Sequence, residues 1–176
     1  MKKALILSII FSISIFCTHL QAATFNVSTT EELRQALLDA AINMQADTIV
    51  LADGTYATTD DGGGTFNFTA DESYDLTIQG SSPDNVVLSG DNTDRVLEFD
   101  VNNSVQQIYL TNISIINGKS SVDGGGIFSY EPLIIENCII SGNNANGNGG
   151  GFFNLDISDI TITNSIISGN TAGLRG

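Results

Sequence analysis

The C-terminal part of the chain repeats itself at a nearly constant spacing. Residues 135–145 (IENCIISGNNA) return 27 positions later as residues 162–172 (ITNSIISGNTA). A looser copy at 111–118 (TNISIING) precedes them, with 25 positions between Asn112 and Asn137. A fixed period of this size, carried by short β-branched runs between Gly and Asn, predicts a solenoid of stacked strands.

The N-terminal residues have the layout of a secretory signal peptide. Lys2 and Lys3 precede an apolar run over 4–16, and the small residues Ala22 and Ala23 follow a more polar stretch. This arrangement predicts cleavage after Ala22 or Ala23. The chain therefore divides into a signal peptide at 1–23 and one solenoid domain at 24–176, and we expect an exported protein.

The two cysteines receive different interpretations. Cys17 raises the alternative of a lipoprotein, which Phe16 disfavours as the residue directly before a lipidated cysteine. Cys138 aligns with Ser165 in the next copy of the repeat. We therefore predict that Cys138 is a small residue packed inside the coil rather than a reactive thiol.

The charge balance excludes some classes of function. The whole chain carries a formal charge of −14, with 20 acidic and six basic residues. Beyond position 23 there remain 20 acidic residues, four basic residues and no histidine. So acidic a domain disfavours binding to nucleic acid or anionic membranes. A histidine-based triad or a histidine-ligated metal is also excluded, and we do not expect the mature chain to span a membrane.

An amphipathic helix is predicted at the start of the domain. Capping boxes occur in two registers, Ser28 with Glu31 and Thr29 with Glu32. The apolar positions that follow share one helical face: Leu33, Ala36, Leu37, Ala40, Ala41 and Met44. A helix of this kind would cover the open end of a solenoid, where apolar interior and strand edges are otherwise exposed.

Short strands separated by Gly and Asn fill the rest of the domain. We predict them at 48–52 (running into a turn at 53–56), 76–78, 86–88, 96–99 and 108–110. Stacked coils would align Asn112, Asn137 and Asn164 at one turn, where their amides can bond along the stack. The glycine triplets at 124–126 and 149–151 are predicted to form corners with positive φ.

Two features resemble a known group of proteins. Residues 33–37 (LRQAL), 46–51 (ADTIVL) and 54–56 (GTY) resemble the N-terminal capping region of secreted bacterial right-handed parallel β-helix proteins, the pectate-lyase-like superfamily. This resemblance implies an all-β, right-handed parallel β-helix with an N-terminal capping helix. The superfamily contains polysaccharide lyases and many noncatalytic surface proteins.

The later repeats resemble those of polymorphic outer-membrane proteins and autotransporter passengers. Gly125-Gly126-Ile127 with residues 140–143, and Gly150-Gly151-Phe152 with residues 167–170, correspond to the glycine and asparagine motifs of that group. The resemblance implies a noncatalytic adhesin-like scaffold in the extracellular space or on the outer-membrane surface. Its partners would be extracellular polysaccharides or host and cell-surface molecules.

An enzyme is the alternative. Lyases of the pectate-lyase-like superfamily use calcium and a Lys or Arg base, and the only comparable grouping is Asp91, Asp94 and Arg95, with Lys119 and Asp123 one coil later. Asp and Asn are also ordinary turn residues, so we favour a solvated turn and assign no catalytic, cofactor or metal-binding residue. Calcium is expected only under this alternative. Since the chain has no tryptophan, a sugar-stacking platform would need a tyrosine: Tyr56, Tyr74, Tyr109 or Tyr130.

Two further expectations concern the ends of the predicted coils. Gly176 follows closely on the last strand and turn, which predicts a fragment of a longer surface protein or, less favoured, an end covered by a second subunit. Residues 58–72 are interpreted either as a loop protruding from the first coil or as an irregular strand.

Overall fold

The computed structural model describes residues 22–71, 73–101, 106–155 and 159–176. Most of the predicted signal peptide therefore lies outside the described residues. In chain order the elements are β1 (Ala23–Val27), α1 (Thr30–Ala40), β2 (Asp47–Leu51), β3 (Gly54–Ala57), β4 (Phe66–Ala70), β5 (Leu76–Gln79), β6 (Val86–Ser89), β7 (Leu97–Val101), β8 (Ile108–Thr111), β9 (Ser114–Ile116), β10 (Lys119–Ser120), β11 (Ile127–Ser129), β12 (Leu133–Glu136), β13 (Ile139–Ser141), β14 (Asn144–Ala145), β15 (Phe152–Asn154), β16 (Ile160–Thr163), β17 (Ile166–Ser168) and β18 (Thr171–Ala172).

The strands form an all-parallel solenoid of about five turns. Six strands make the longest sheet, in the order β1-β2-β5-β8-β12-β16. The other sheets are β3-β6-β9-β13-β17, β4-β7-β11-β15 and β10-β14-β18. Each strand pairs with its equivalent one coil away, so that Ile135 aligns with Leu110 on one side and Ile162 on the other. The predicted stack of coils is confirmed.

The core runs along the axis of the solenoid. Side chains of β2, β5 and β8 alternate between buried and partly exposed positions, as expected for strands with one face inward. The inward residues of the long sheet are fully buried through the middle coils: Ile49, Ile78, Leu110 and Ile135. Inward aromatic and aliphatic residues of the other sheets meet them, including Phe66, Leu88, Phe99, Ile115 and Ile140.

Helix α1 closes the N-terminal end. Thr29 is its N-cap, and the Thr29 hydroxyl accepts a hydrogen bond from the Glu32 amide over 3.2 Å. The Glu32 carboxylate in turn accepts from the Ser28 amide over 2.7 Å. The helix packs against β1, β2 and β4 and buries the predicted apolar face at Leu33, Ala36, Leu37, Ala40 and Ala41.

The helix face ends one turn earlier than the pattern predicts. The pattern places Met44 on the apolar face, but α1 ends at Ala40. Met44 adopts a left-handed backbone with φ 61° and is 61% exposed. The chain must leave the helix there to enter β2. Among the described residues, no helix is long and apolar enough to cross a bilayer.

Three local expectations need correction or completion. The predicted turn at 53–56 is mostly strand, because Gly54–Ala57 pairs in register with β6. Residues 58–65 form a loop and Phe66–Ala70 forms the regular strand β4, so an irregular strand is not found among the described residues of this segment. Only the first glycine of each triplet, Gly124 or Gly149, has positive φ. The third needs its small size instead: a Cβ at Gly126 would lie 2.4 Å from the carbonyl oxygen of Gly151 in the next coil.

Candidate functional site

Of the five residues singled out for a lyase site, Asp94, Arg95 and Lys119 line one groove on the surface, whereas Asp91 and Asp123 are not among its lining residues. Arg95 and Lys119 line a groove of about 360 Å³, together with Asp94 and several hydroxyl side chains, namely Thr65, Thr93, Ser120 and Ser121. Strand β10 brings Lys119 next to the preceding coil, where the Lys119 amide donates to the Asp94 carbonyl over 2.8 Å. Arg95 and Lys119 therefore lie one coil apart on the same groove.

The Arg95 guanidinium is occupied by structural contacts. It donates to the carbonyl oxygens of Gly124 over 2.9 Å and Asp123 over 2.8 Å, and it pairs with the Glu98 carboxylate. Its plane lies over the Phe128 ring, 4.6 Å from the centroid. Arg95 therefore holds the turn that leads into the first glycine triplet.

Arg34 holds a loop in a similar way at the start of the solenoid. It projects from α1, lies 4.6 Å from the centroid of Phe66, and donates to the Gly64 carbonyl over 2.6 Å. Its Nε also pairs with Asp61 over 2.7 Å. The bond from Arg34 holds the pKa of the Asp61 carboxyl below its usual range, and the Gly63 amide adds to this effect. Sequence reasoning did not find this clamp, because its partners lie in a loop of irregular conformation.

The three aspartates considered for a lyase site, Asp91, Asp94 and Asp123, accept hydrogen bonds within and between turns. The Asp91 carboxylate accepts from the hydroxyls of Thr59 and Ser89, and these bonds lower its pKa. Asp94 accepts from Thr93 over 2.8 Å. Asp123 accepts from both the amide and the side chain of Asn148, over 2.6 and 2.9 Å. The turn interpretation of these residues is therefore supported by their contacts.

This donor set does not fit a bound calcium ion. Calcium takes six to eight oxygen ligands that converge on one point. Within the described parts of the chain, no three acidic, histidine or cysteine side chains are grouped closely enough to hold a metal. The hydrogen bonds of Asp91 and Asp123 direct these carboxylates at neighbouring turns instead.

Aromatic side chains lie next to one another on the outer face of the four-stranded sheet. Phe128 and Phe153 align one above the other on the outer side of β11 and β15, with ring centroids 5.8 Å apart. Tyr130 packs edge-on against Phe128 at 5.2 Å and is 37% exposed. Each Phe occurs two positions after its glycine triplet, a signal that the repeat carries in the sequence. Tyr56, by contrast, cannot be a sugar platform, because it is buried and donates to the Val27 carbonyl over 2.9 Å.

The recurring Asn and Cys positions are structural. Asn112, Asn137 and Asn164 all adopt left-handed backbone, with φ between 50° and 58°. The Asn137 amide group donates to Oδ1 of Asn112 over 2.6 Å, so the predicted stacking is confirmed for this pair. Cys138 is buried and its amide donates to the Ser165 hydroxyl over 3.0 Å. Burial raises the pKa of the Cys138 thiol, as expected for an unreactive core residue.

Comparison with known proteins found no matching family model, no matching curated protein and no matching solved structure.

Proposed function

We propose that this protein is a noncatalytic β-helix scaffold, exported and presented outside the cell in the manner of an adhesin or passenger domain. The proposal rests on the contacts of Arg95, the best candidate for a catalytic base in the sequence. Its guanidinium contacts two carbonyl oxygens, a carboxylate and an aromatic ring. These contacts support a structural role for Arg95.

The chemistry of arginine strengthens this argument. An arginine must lose its proton to act as a base, and arginine side chains stay protonated in proteins. A proton-abstracting Arg95 would also have to release the turn that it holds.

The outer faces offer surface for contact with a partner. Phe128, Tyr130 and Phe153 form a partly exposed aromatic patch. Arg95 lies over the Phe128 ring, and Glu98 aligns with Phe128 in the neighbouring strand. Aromatic rings of this kind contribute much of the binding energy at interfaces and also stack on sugar rings. The patch suits a partner such as an extracellular polysaccharide or a cell-surface protein. The resemblance to pectate-lyase-like and polymorphic outer-membrane proteins supports the same function.

A second candidate is a calcium-assisted polysaccharide lyase or a carbohydrate-binding β-helix. The groove at Lys119 favours it, because cationic and hydroxyl groups there face one space of sugar-like size. Lys119 is exposed, and its ammonium group could approach a uronate more readily than Arg95.

A polymer panel separates the two functions. The purified protein is incubated with pectate, alginate and chondroitin in the presence of calcium, and the absorbance of unsaturated products is followed. The scaffold proposal expects no increase above buffer. Product formation that is abolished by a chelator and by Lys119→Ala would overturn the proposal. Lys119→Ala is the appropriate variant, because Arg95→Ala would also disturb the turn. Retention on immobilised polymer without turnover, weakened by Lys119→Ala, would instead indicate carbohydrate binding.

A further inference from the structure

The chain contains three Asn–Gly dipeptides, and the fold places them in different surroundings. They are Asn117–Gly118, Asn146–Gly147 and Asn148–Gly149. Asparagine is a thermolabile residue, and a glycine after it leaves the next amide nitrogen unhindered. That nitrogen can attack the carboxamide carbon and release ammonia, and water then opens the succinimide ring to aspartate or isoaspartate. Because the three dipeptides are chemically alike, the surrounding structure decides which one reacts.

The first dipeptide is held by its backbone. Gly118 is buried, and its amide donates to Oδ1 of Asn143 over 2.7 Å. The Asn117 amide donates to the Ser141 carbonyl over 3.3 Å, and the Asn117 carbonyl accepts from the Asn92 amide over 2.7 Å. The attack requires the asparagine side chain and the next amide to turn towards each other, so these bonds protect Asn117.

The third dipeptide is held by its side chain. The amide and the side-chain nitrogen of Asn148 both donate to the Asp123 carboxylate, over 2.6 and 2.9 Å. Gly149 is buried, and its amide donates to the Arg175 carbonyl over 2.7 Å. The carboxamide of Asn148 must therefore leave Asp123 before its carbon can reach the Gly149 nitrogen.

The middle dipeptide has the least protection. Asn146 is exposed, and its side chain makes no hydrogen bond to another described residue. The Gly147 amide donates to the Val122 carbonyl over 2.8 Å, but Val122 belongs to a turn at the surface and is 59% exposed. Opening a bond in an exposed turn costs less free energy than opening buried bonds between coils. The Gly147 nitrogen is therefore released more often than the other two.

We propose that Asn146 is a site of spontaneous deamidation in the folded protein, while Asn117 and Asn148 are protected. The product carries a carboxylate in place of a neutral carboxamide. Asn146 lines the groove described above, together with Arg95, Lys119 and Asp94. The reaction would thus add a second carboxylate to a groove lined by two cationic side chains and one carboxylate. This inference does not depend on the function proposed above.

Peptide mapping by mass spectrometry tests the proposal. The protein is incubated in mildly alkaline buffer, folded or unfolded in urea, and the modification rate of each asparagine is measured. The rate in the fold is divided by the rate in urea, so that effects of the flanking sequence cancel. We expect this ratio to be at least roughly tenfold higher for Asn146 than for Asn117 or Asn148. Asn146→Gln should remove the modification of the folded protein.

Asp123→Ala tests the protection itself. It removes the acceptor of the Asn148 side chain, so the ratio for Asn148 should rise while the ratio for Asn117 stays constant. Similar ratios at the three sites of the unmodified chain would overturn the proposal. So would a folded protein in which Asn146 stays intact while the chain in urea reacts at all three sites. An unchanged ratio for Asn148 in Asp123→Ala would contradict protection by the side-chain bond.

Discussion

The Oδ1 atom of Asn170 accepts two hydrogen bonds from Asn143, one coil earlier, each over 3.0 Å. Asn143 in turn accepts from the Gly118 amide over 2.7 Å and donates to the Ile115 carbonyl over 3.0 Å. The asparagines thus connect three successive coils. A side chain at Gly118 would disturb this arrangement, because a Cβ there would clash with the Gly125 carbonyl oxygen and lie 2.8 Å from Oδ1 of Asn143.

Asn143→Ala should lower the free energy of unfolding by about 2–3 kcal/mol, because it leaves the buried Gly118 amide without its acceptor. Urea denaturation followed by circular dichroism measures the change. Asn144→Ala is the matched control, since this neighbouring side chain is exposed, and it should change stability by less than about 0.5 kcal/mol. Equal losses in the two variants would contradict a structural role for the Asn143 amide.

The two aligned isoleucines of β12 and β16 should differ in their contribution to stability. Ile135→Ala opens a cavity in the closed interior and should cost about 2–5 kcal/mol. Ile162→Ala, at the same inward position one coil later, should cost about 1 kcal/mol, because this side chain is partly exposed to water already. Urea denaturation compares the two variants. A cost for Ile162→Ala as large as for Ile135→Ala would contradict the difference in burial.

Stability should decrease in acid partly through Asp61. Its pKa is lower in the fold than its ordinary value of 3.8, mainly because of the bond from Arg34. The charged form is therefore favoured by folding, and this contribution is complete above the ordinary pKa and is lost as the pH falls through the folded value. The difference in unfolding free energy between the wild type and Asp61→Asn should shrink as the pH falls from about 5 to about 2. Over this range the Asp61 carboxylate becomes protonated and loses its ion pair with Arg34.

A double-mutant comparison assigns this effect to its cause. In an Arg34→Gln background, Asp61→Asn should produce a much smaller pH-dependent difference, because the main partner of Asp61 is gone and only the weaker effect of the Gly63 amide remains. Persistence of the same difference in that background would show that Arg34 is not responsible.

The Cys138 thiol should react slowly in the folded protein. It is buried and its pKa is raised, so little thiolate forms and reagents cannot reach it. Iodoacetamide labelling followed by peptide mapping should show little modification of Cys138 under native conditions and rapid modification in urea. Cys138→Ser should retain the fold, since Ser165 has the equivalent position in the next coil. Rapid labelling of Cys138 in the native state would contradict the burial.

The coil could be predicted from the repeat because each copy has the same kinds of turn residues and inward-facing residues at equivalent positions. Asn112 and Asn137 provide a left-handed turn residue, and the intervening isoleucines alternate inward and outward. A spacing of 25 to 27 residues then fixes which residues align in neighbouring coils. These are local properties repeated in register, and such properties are visible in a sequence.

Contacts that join unlike parts of successive coils were not predictable in this way. Nothing near Arg95 in the sequence indicates that Phe128 and the Asp123 carbonyl will surround it, since they belong to the next coil. Strand β3 was missed because Gly54 favours a turn locally, and pairing with β6 overrides that preference. The Arg34 clamp was missed for the same reason, because it joins the helix to a loop.

The α1 cap determines at which end of the solenoid repeats can be added. Since one end of the rod is sealed by a unique element, duplication of a 25-residue unit can lengthen the protein only on the far side of that element, without redesign of the first coils. Each inserted unit would extend the rod by about 4.8 Å, the spacing of neighbouring strands. Duplication of repeats in the gene can therefore change the length of the protein in small, equal steps.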